Sequence, residues 1–269
     1  MDTGLTDRAC IVTGASSGIG LATARLLSSE GARVLLIARN EDRIATACEI
    51  CTSVAPCGIE SVETMSLDTR DPLSAERAVA RCVERFGHLD VLVNNAGESV
   101  SQPLRNISDE YWLKQWETHV LAPLRFMRAA LPLMSSTGWG RVVNVSSAAG
   151  KKPSLRDAAY TVAKAAELAL SRVFAEEYAT AGVLINAVTP GPVNTPLWTA
   201  NGGLADQVAS LAGVSREQAM HQMESSLPLR RFADADEVAA VIVFLCSELA
   251  SNVVGSAWSV DGGLVPSFT

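Results

Sequence analysis

The segment Thr13-Gly14-Ala15-Ser16-Ser17-Gly18-Ile19-Gly20 constrains the fold of this chain more than any other. An apolar run, Ala9 to Thr13, leads straight into it, and a helix-like pattern of Leu21, Ala22, Leu26 and Leu27 leads straight out. Glycines at the C-terminal end of a strand let the backbone turn tightly and approach a ligand. The helix that follows turns unpaired N–H groups and a positive dipole end toward it. The arrangement predicts a strand, turn and helix that cradle a pyrophosphate, as in a dinucleotide, on Gly14, Ser16, Ser17, Gly18, Ile19 and Gly20. Turn geometry alone would explain the glycines; their place between a strand and a helix is what points to phosphate.

Further apolar runs recur between longer helix-compatible segments: Arg33 to Ala38, Val62 to Asp68, Asp90 to Asn94, Arg141 to Ser146, Val183 to Thr189 and Ala257 to Val260. With Ala9 to Thr13 they make seven expected strands, rich in Val, Ile and Leu with little polar alternation, as in parallel strands covered on both faces. The expected class is therefore α/β, a doubly wound seven-stranded parallel sheet (Rossmann fold) forming a single domain over residues 1–269. Helix ends carry fitting punctuation: Ser108 before Asp109 and Glu110 at a start, Gly31 and Gly182 at stops. From Leu197 to Leu229 the rhythm breaks around Gly202-Gly203, Trp198, Met220 and Met223, and this stretch reads as an irregular, mobile lid over a substrate site.

Hydrophobic residues at 48% and charged residues at 19% belong to a globular chain that folds unaided. A net charge of -7 argues against nucleic acid, which needs clustered Lys and Arg. The N-terminal residues lack the pattern of a signal peptide, and no run reaches the roughly eighteen apolar residues of a membrane span, so a cytoplasmic location with no membrane partner is expected. Cys48, Cys51 and Cys57 form a C-x2-C-x5-C cluster with no fourth ligand nearby; reduced thiols on or near a helix, and no metal, are the expectation.

At the end of the second strand, Ile37-Ala38-Arg39-Asn40 offers no carboxylate to grip a ribose 2′-OH. Arg39 can pair with a 2′-phosphate, so NADP(H) is favoured over NAD(H), although a solvated arginine would look the same. Asp68, at the end of the third run, either accepts from an adenine amino group or caps the next turn. Tyr160 and Lys164 lie four apart in a helical pattern and share a face, where an ammonium favours phenolate and fits Tyr160 to exchange a proton. Ser147 closes the fifth run, placed to hold the oxygen that exchanges it. By itself Tyr-x-x-x-Lys on a helix is commonly structural.

In order along the chain stand TGASSGIG, the Asn94-Asn95-Ala96-Gly97 run, Ser147, YTVAK and Pro190-Gly191-Pro192-Val193. Together they strongly resemble the short-chain dehydrogenase/reductase family, over about Asp7 to Val265, with a core similar to bacterial 3-oxoacyl thioester reductases. The resemblance implies an oxidoreductase that moves a hydride between NADP(H), or NAD(H), and a ketone or secondary alcohol. It implies Ser147, Tyr160 and Lys164 as catalytic residues, with Tyr160 and Lys164 also meeting the cofactor. Asn95 would join the cofactor site, and Pro190, Gly191, Val193 and Thr195 would position the carboxamide. A homotetramer or homodimer would be the assembly.

One residue departs from the family pattern. About twenty-five positions beyond Asn94, where the family usually has a fourth catalytic Asn, stands His119. In the family that Asn works largely through its carbonyl, which holds a water linked to the lysine. Pro123, four residues on, has no N–H, so in a continuous helix it would free the His119 carbonyl for the same task; the imidazole would be a second route. One alternative is that His119 merely packs, with the relay lost or rerouted; another is that the chain is a dinucleotide-binding regulatory protein with impaired catalysis. For the substrate, the uncharged Thr137-Gly138 and Thr180-Ala181 offer an acidic carrier protein little to grip, which leaves a 3-oxoacyl thioester of coenzyme A or another hydrophobic small molecule.

Overall fold

The computed structural model describes residues 2–266. Strand β1 (Ala9–Thr13) is buried along its whole length and turns through Gly14 into α1 (Gly18–Ser29). The alternation continues through β2 (Arg33–Ala38), α2 (Glu41–Val54), β3 (Val62–Ser66), α3 (Ser74–Phe86) and β4 (Val91–Asn94). After β4 come α4 (Asp109–Trp116), α5 (Ala122–Thr137), β5 (Gly140–Val145), the short α6 (Ala148–Lys151) and the long α7 (Ala158–Tyr178). The chain ends through β6 (Val183–Pro190), β7 (Val193–Asn194), α8 (Pro196–Thr199), α9 (Leu204–Ala212), α10 (Arg216–Ser226), β8 (Ala233–Asp234), α11 (Ala235–Cys246) and β9 (Ala257–Val260).

Seven strands form one parallel sheet in the order β3-β2-β1-β4-β5-β6-β9, and each of the seven expected runs supplies one. Alternate residues explain why these runs are mostly apolar. Cys10 and Val12 of β1 face a core made with Ala24 and Leu27 of α1, Ile44 of α2 and Ile242 of α11. Ala9 and Ile11 face the other way, onto Cys82 of α3 and Phe126 and Leu131 of α5. A strand covered on both sides admits a polar side chain only where it finds a partner, as Asn94 of β4 does by donating to Asn144 Oδ1 of β5 at 2.8 Å. The strand order reverses direction at β1, between β2 and β4, and such a switch opens a crevice at the carboxyl ends of the strands.

The helix termini follow the local chemistry. The Ser108 hydroxyl accepts the Tyr111 amide at the start of α4, and Gly31 and Gly182 take the left-handed conformation at helix ends. Two expectations are corrected. The stretch 197–229 is not irregular: it holds the end of α8, then α9 and α10, the last opened by a reciprocal capping box between Ser215 and Gln218. Val208 and Ala209 of α9 pack on Ala219 of α10, so this pair has a small core of its own, invisible to a search for strand rhythm. The helix expected to run unbroken through His119 is interrupted by a π turn, Glu117–Leu121, in which the Ala122 N–H donates to the Glu117 carbonyl. Pro123 sits in the first turn of α5, where a proline is tolerated.

All six cysteines are free, with Cys48 and Cys51 on α2, and no cluster suited to a metal ion occurs among the described residues. No helix among them is long and apolar enough to cross a membrane.

Candidate active site

The carboxyl ends of the strands surround a cleft of about 620 Å³ that runs from Arg39 at one end to Met223 at the other. Its floor is the glycine turn. Gly14 takes φ +68 and Gly18 φ +54, conformations that glycine adopts without steric cost. A Cβ added to Gly20 would stand 2.3 Å from the Gly14 carbonyl oxygen and 2.4 Å from Asn95 Nδ2, so only glycine fits there. No side chain caps the first turn of α1 and no acidic residue lies in it, which leaves its amides and positive dipole end for an anionic ligand. These features fit a dinucleotide pyrophosphate. Asn95 lines the cleft, and its amide also holds the turn together by donating to Thr13 O at 2.9 Å.

At the outer end, Arg39 is exposed, its guanidinium 3.8 Å from the Glu98 carboxylate. Arg43, in the first turn of α2, lines the same wall. Sequence reasoning missed Arg43, although its four-residue spacing from Arg39 across the N-cap Asn40 was a signal. Asp68 lines this end too, and its carboxylate caps the turn at the Arg70 amide while pairing with the Arg70 guanidinium at 2.6 Å. That pairing holds its carboxyl below the usual range. Across the cleft stand Pro190 at the end of β6, Gly191 after it, Val193 of β7 and then Thr195, whose methyl would lie 3.1 Å from a Cβ placed on Gly18.

The inner end is built by β5 and α7. Ser147 follows β5 and accepts the Ala149 amide at 3.1 Å as the cap of α6. Tyr160 and Lys164 stand one turn apart on α7, with Lys164 Nζ 5.7 Å from the centre of the Tyr160 ring. Lys164 is buried; its ammonium donates to the Val145 carbonyl at 2.8 Å and to Glu167 Oε2 at 2.9 Å. Burial pushes the Tyr160 phenol up, and the Lys164 ammonium and Ser147 hydroxyl act against that rise.

His119 is brought to the same place. Its ring meets Tyr160 edge-on, and Nε2 lies 3.0 Å from the Glu98 carbonyl oxygen, which can only accept, so Nε2 carries the proton. Nδ1 is buried without a partner. Burial, reinforced by Lys164, holds the imidazole well below its ordinary pKa, so it is neutral at neutral pH. Beyond Tyr160 the cleft is lined by Trp198, Leu204, Val208 and Met223, and by Ser99, Ser101 and Asp157. Met220, expected in the lid wall, does not line the cleft.

A glycine turn shaped for pyrophosphate, opening into a cleft that holds a tyrosine, a lysine and a serine, defines a dinucleotide-dependent oxidoreductase. The chain belongs to the short-chain dehydrogenase/reductase family. A family profile described as Enoyl-(Acyl carrier protein) reductase matches residues 14–265. The chain is 37% identical over 262 residues to the protein of Streptomyces virginiae named as a ketoacyl reductase of the monensin polyketide synthase, covering 96% of this chain and 97% of that one. Among solved structures it resembles the L-sorbose reductase of Gluconobacter frateurii complexed with NADPH and L-sorbose, with a TM-score of 0.91, 32% identity and all of both chains covered. It also resembles an NAD+-bound xylitol dehydrogenase, with a TM-score of 0.88, 27% identity and 96% and 99% of the two chains covered.

Proposed function

We propose that the protein exchanges a ketone and its secondary alcohol with NADP(H), using Tyr160 as proton donor and acceptor. The observation that carries this is the meeting of Tyr160, Ser147 and Lys164 at the inner end of a cleft whose floor is built for a pyrophosphate. When bound, the nicotinamide supplies the hydride in reduction and takes it up in oxidation. Ser147 orients the substrate oxygen by hydrogen bonding. Tyr160 gives that oxygen its phenolic proton in reduction and removes it in oxidation. Lys164 favours the phenolate and holds the nicotinamide ribose. The neutral His119 supports the relay as a packed partner of Tyr160, with its carbonyl on the π turn as the water-holding group.

Arg39 and Arg43 at the adenine end favour a 2′-phosphate, which supports NADP(H). Gly14, Ser16, Ser17, Gly18, Ile19 and Gly20 would hold the pyrophosphate, and Pro190, Gly191, Val193 and Thr195 the nicotinamide end. Trp198, Leu204, Val208 and Met223 suit a substrate with an apolar body, such as a short 3-oxoacyl thioester of coenzyme A. Over this pocket α8, α9 and α10 act as a lid, and the free thiols fit a reducing compartment. The test is a panel of ketones and secondary alcohols, followed by absorbance of the reduced cofactor. Turnover by the wild type, lost by a factor of at least about 10² in Tyr160→Phe, supports the reading. A wild type that binds NADPH and turns over nothing overturns it.

A further inference from the structure

Three residues beyond Lys164 the chain places Glu167, and the fold buries it almost completely, at 1% exposure. Its carboxylate is 2.9 Å from Lys164 Nζ. A carboxylate at such a site is costly: taking both charges of a pair out of water offsets most of their attraction, and an apolar side chain of similar size stabilises a helix packed on a sheet as well or better. Packing therefore does not account for Glu167. Its contact with the active-site ammonium does.

We propose that Glu167 is a positioning residue: it fixes the direction of the Lys164 ammonium and, by offsetting part of its charge, sets the pH at which Tyr160 exchanges its proton. The inference deepens the function proposed above and rests on Tyr160 and Lys164 having those roles. An ammonium has three N–H bonds in tetrahedral directions. One goes to the Val145 carbonyl at 2.8 Å and one to Glu167 Oε2, so the third has a fixed direction. The helix backbone beneath is equally fixed, since the Ser146 hydroxyl donates to the Lys164 carbonyl at 2.9 Å. A Cβ on Gly150 of α6 would stand 2.9 Å from that same oxygen.

The electrostatic consequence has a definite sign. A lone ammonium 5.7 Å from the Tyr160 ring favours phenolate; an ammonium paired with a carboxylate favours it less. Ionised Glu167 therefore keeps Tyr160 protonated to higher pH. The other groups around this pair are few. Ser146, just after β5, lies beside Glu167, Asp157 just before α7 adds a negative charge, and the π turn presents the neutral His119. From α4 comes the Tyr111 phenol, pushed up to about 12. Lys151 of α6 is turned away, onto the Ala257 carbonyl and Ser259, and Arg125 of α5 pairs with Glu117. The face of β6 toward α7 carries no ionisable side chain.

The chain has three tyrosines, Tyr111, Tyr160 and Tyr178, so Tyr160 can be titrated directly by its phenolate absorbance. The wild-type curve minus that of Tyr160→Phe isolates it, and the same subtraction is made with Glu167→Gln and Glu167→Gln/Tyr160→Phe. The expected result is a Tyr160 midpoint lower by about one pH unit in Glu167→Gln. A folded Glu167→Gln with an unchanged or raised midpoint overturns the proposal. Should that variant not fold, Glu167→Asp, which withdraws the charge from Nζ, decides by a smaller shift in the same direction or none. No substrate enters this titration, so it answers even for a protein that reduces no ketone. With a ketone that is reduced, the alkaline fall of kcat moves to lower pH by the same amount, a shift that a purely structural role would not produce.

Discussion

The ring of His119 stands edge-on to the ring of Tyr160, 5.1 Å between centroids and 88° between planes. A Cβ added to Gly97 would lie 2.8 Å from His119 Cε1, so the strand end after β4 closes over the imidazole from the other side. The ring is thus held between the residue proposed for proton exchange and the turn beside the proposed cofactor site, with its proton committed to the Glu98 carbonyl.

That burial makes stability depend on pH. The folded protein resists protonating His119, whereas the unfolded chain takes the proton near its ordinary value of about 6.5. Below that pH the unfolded state binds more protons, so stability falls as the pH falls, by up to about 1.4 kcal/mol per pH unit for this group. Urea unfolding at several acidic pH values is expected to show this slope in the wild type and a shallower one in His119→Asn. Equal slopes would show that the histidine titrates normally in the folded state.

Asp157 has the opposite sign. Burial pushes its carboxyl up to about 6, against the lowering effect of the Ser99 hydroxyl that donates to it. Its folded pKa lies above the unfolded value of about 3.9, so the stability it contributes is present below that value and lost as the pH rises to about 6. Asp157→Asn, which keeps an acceptor for Ser99, is expected to be more stable than the wild type at neutral pH by about 2 kcal/mol and nearly equal to it near pH 4. Denaturant titration of both proteins at the two pH values provides the check.

Arg39→Ala separates the two cofactors. Loss of one charge-assisted contact to a 2′-phosphate is expected to weaken NADPH binding by about 10- to 100-fold and to leave NADH unchanged within a factor of about two. Calorimetric Kd values for both nucleotides measure it. Arg43→Ala is expected to act in the same direction, and parallel losses for both nucleotides would remove these arginines from cofactor choice.

Gly20→Ala tests the floor of the cleft. The new methyl would press on the Gly14 carbonyl and the Asn95 amide at once, so the turn must open. Binding of NADPH is expected to fall by at least about 10²-fold, with a stability loss of about 1 to 3 kcal/mol from overpacking. Both are read on one sample, by nucleotide titration and by thermal unfolding.

Much of this was legible in the chain because strands buried on both faces leave continuous apolar runs, and because the glycine turn has few alternatives to Gly14, Gly18 and Gly20. The spacing of Tyr160 and Lys164 predicts one shared helix, and both stand on α7; the role proposed for them came from the family resemblance. What escaped depends on long-range packing. The π turn at Glu117–Leu121 stands just before Pro123, and the side-chain pattern across it reads as one regular helix. The α9 and α10 pair hid behind glycines that the sequence reading took for irregular chain; Gly213 in fact ends α9 in a left-handed cap. Glu167 carries no mark in the sequence; only burial sets it against Lys164.

The wall formed by α8, α9 and α10 is joined to the rest of the cleft through few polar links, among them the Ser101 amide donating to Gln207 Oε1 at 2.8 Å. Its inner core, Val208, Ala209 and Ala219, is separate from the two cores that clamp the sheet. Under the function proposed above, this wall would be a separable substrate-selecting unit. Exchange of residues 197–229 for another helical pair would alter which ketones enter while leaving the nucleotide floor and Tyr160 undisturbed, a division of labour through which one scaffold can acquire new specificities without being refolded.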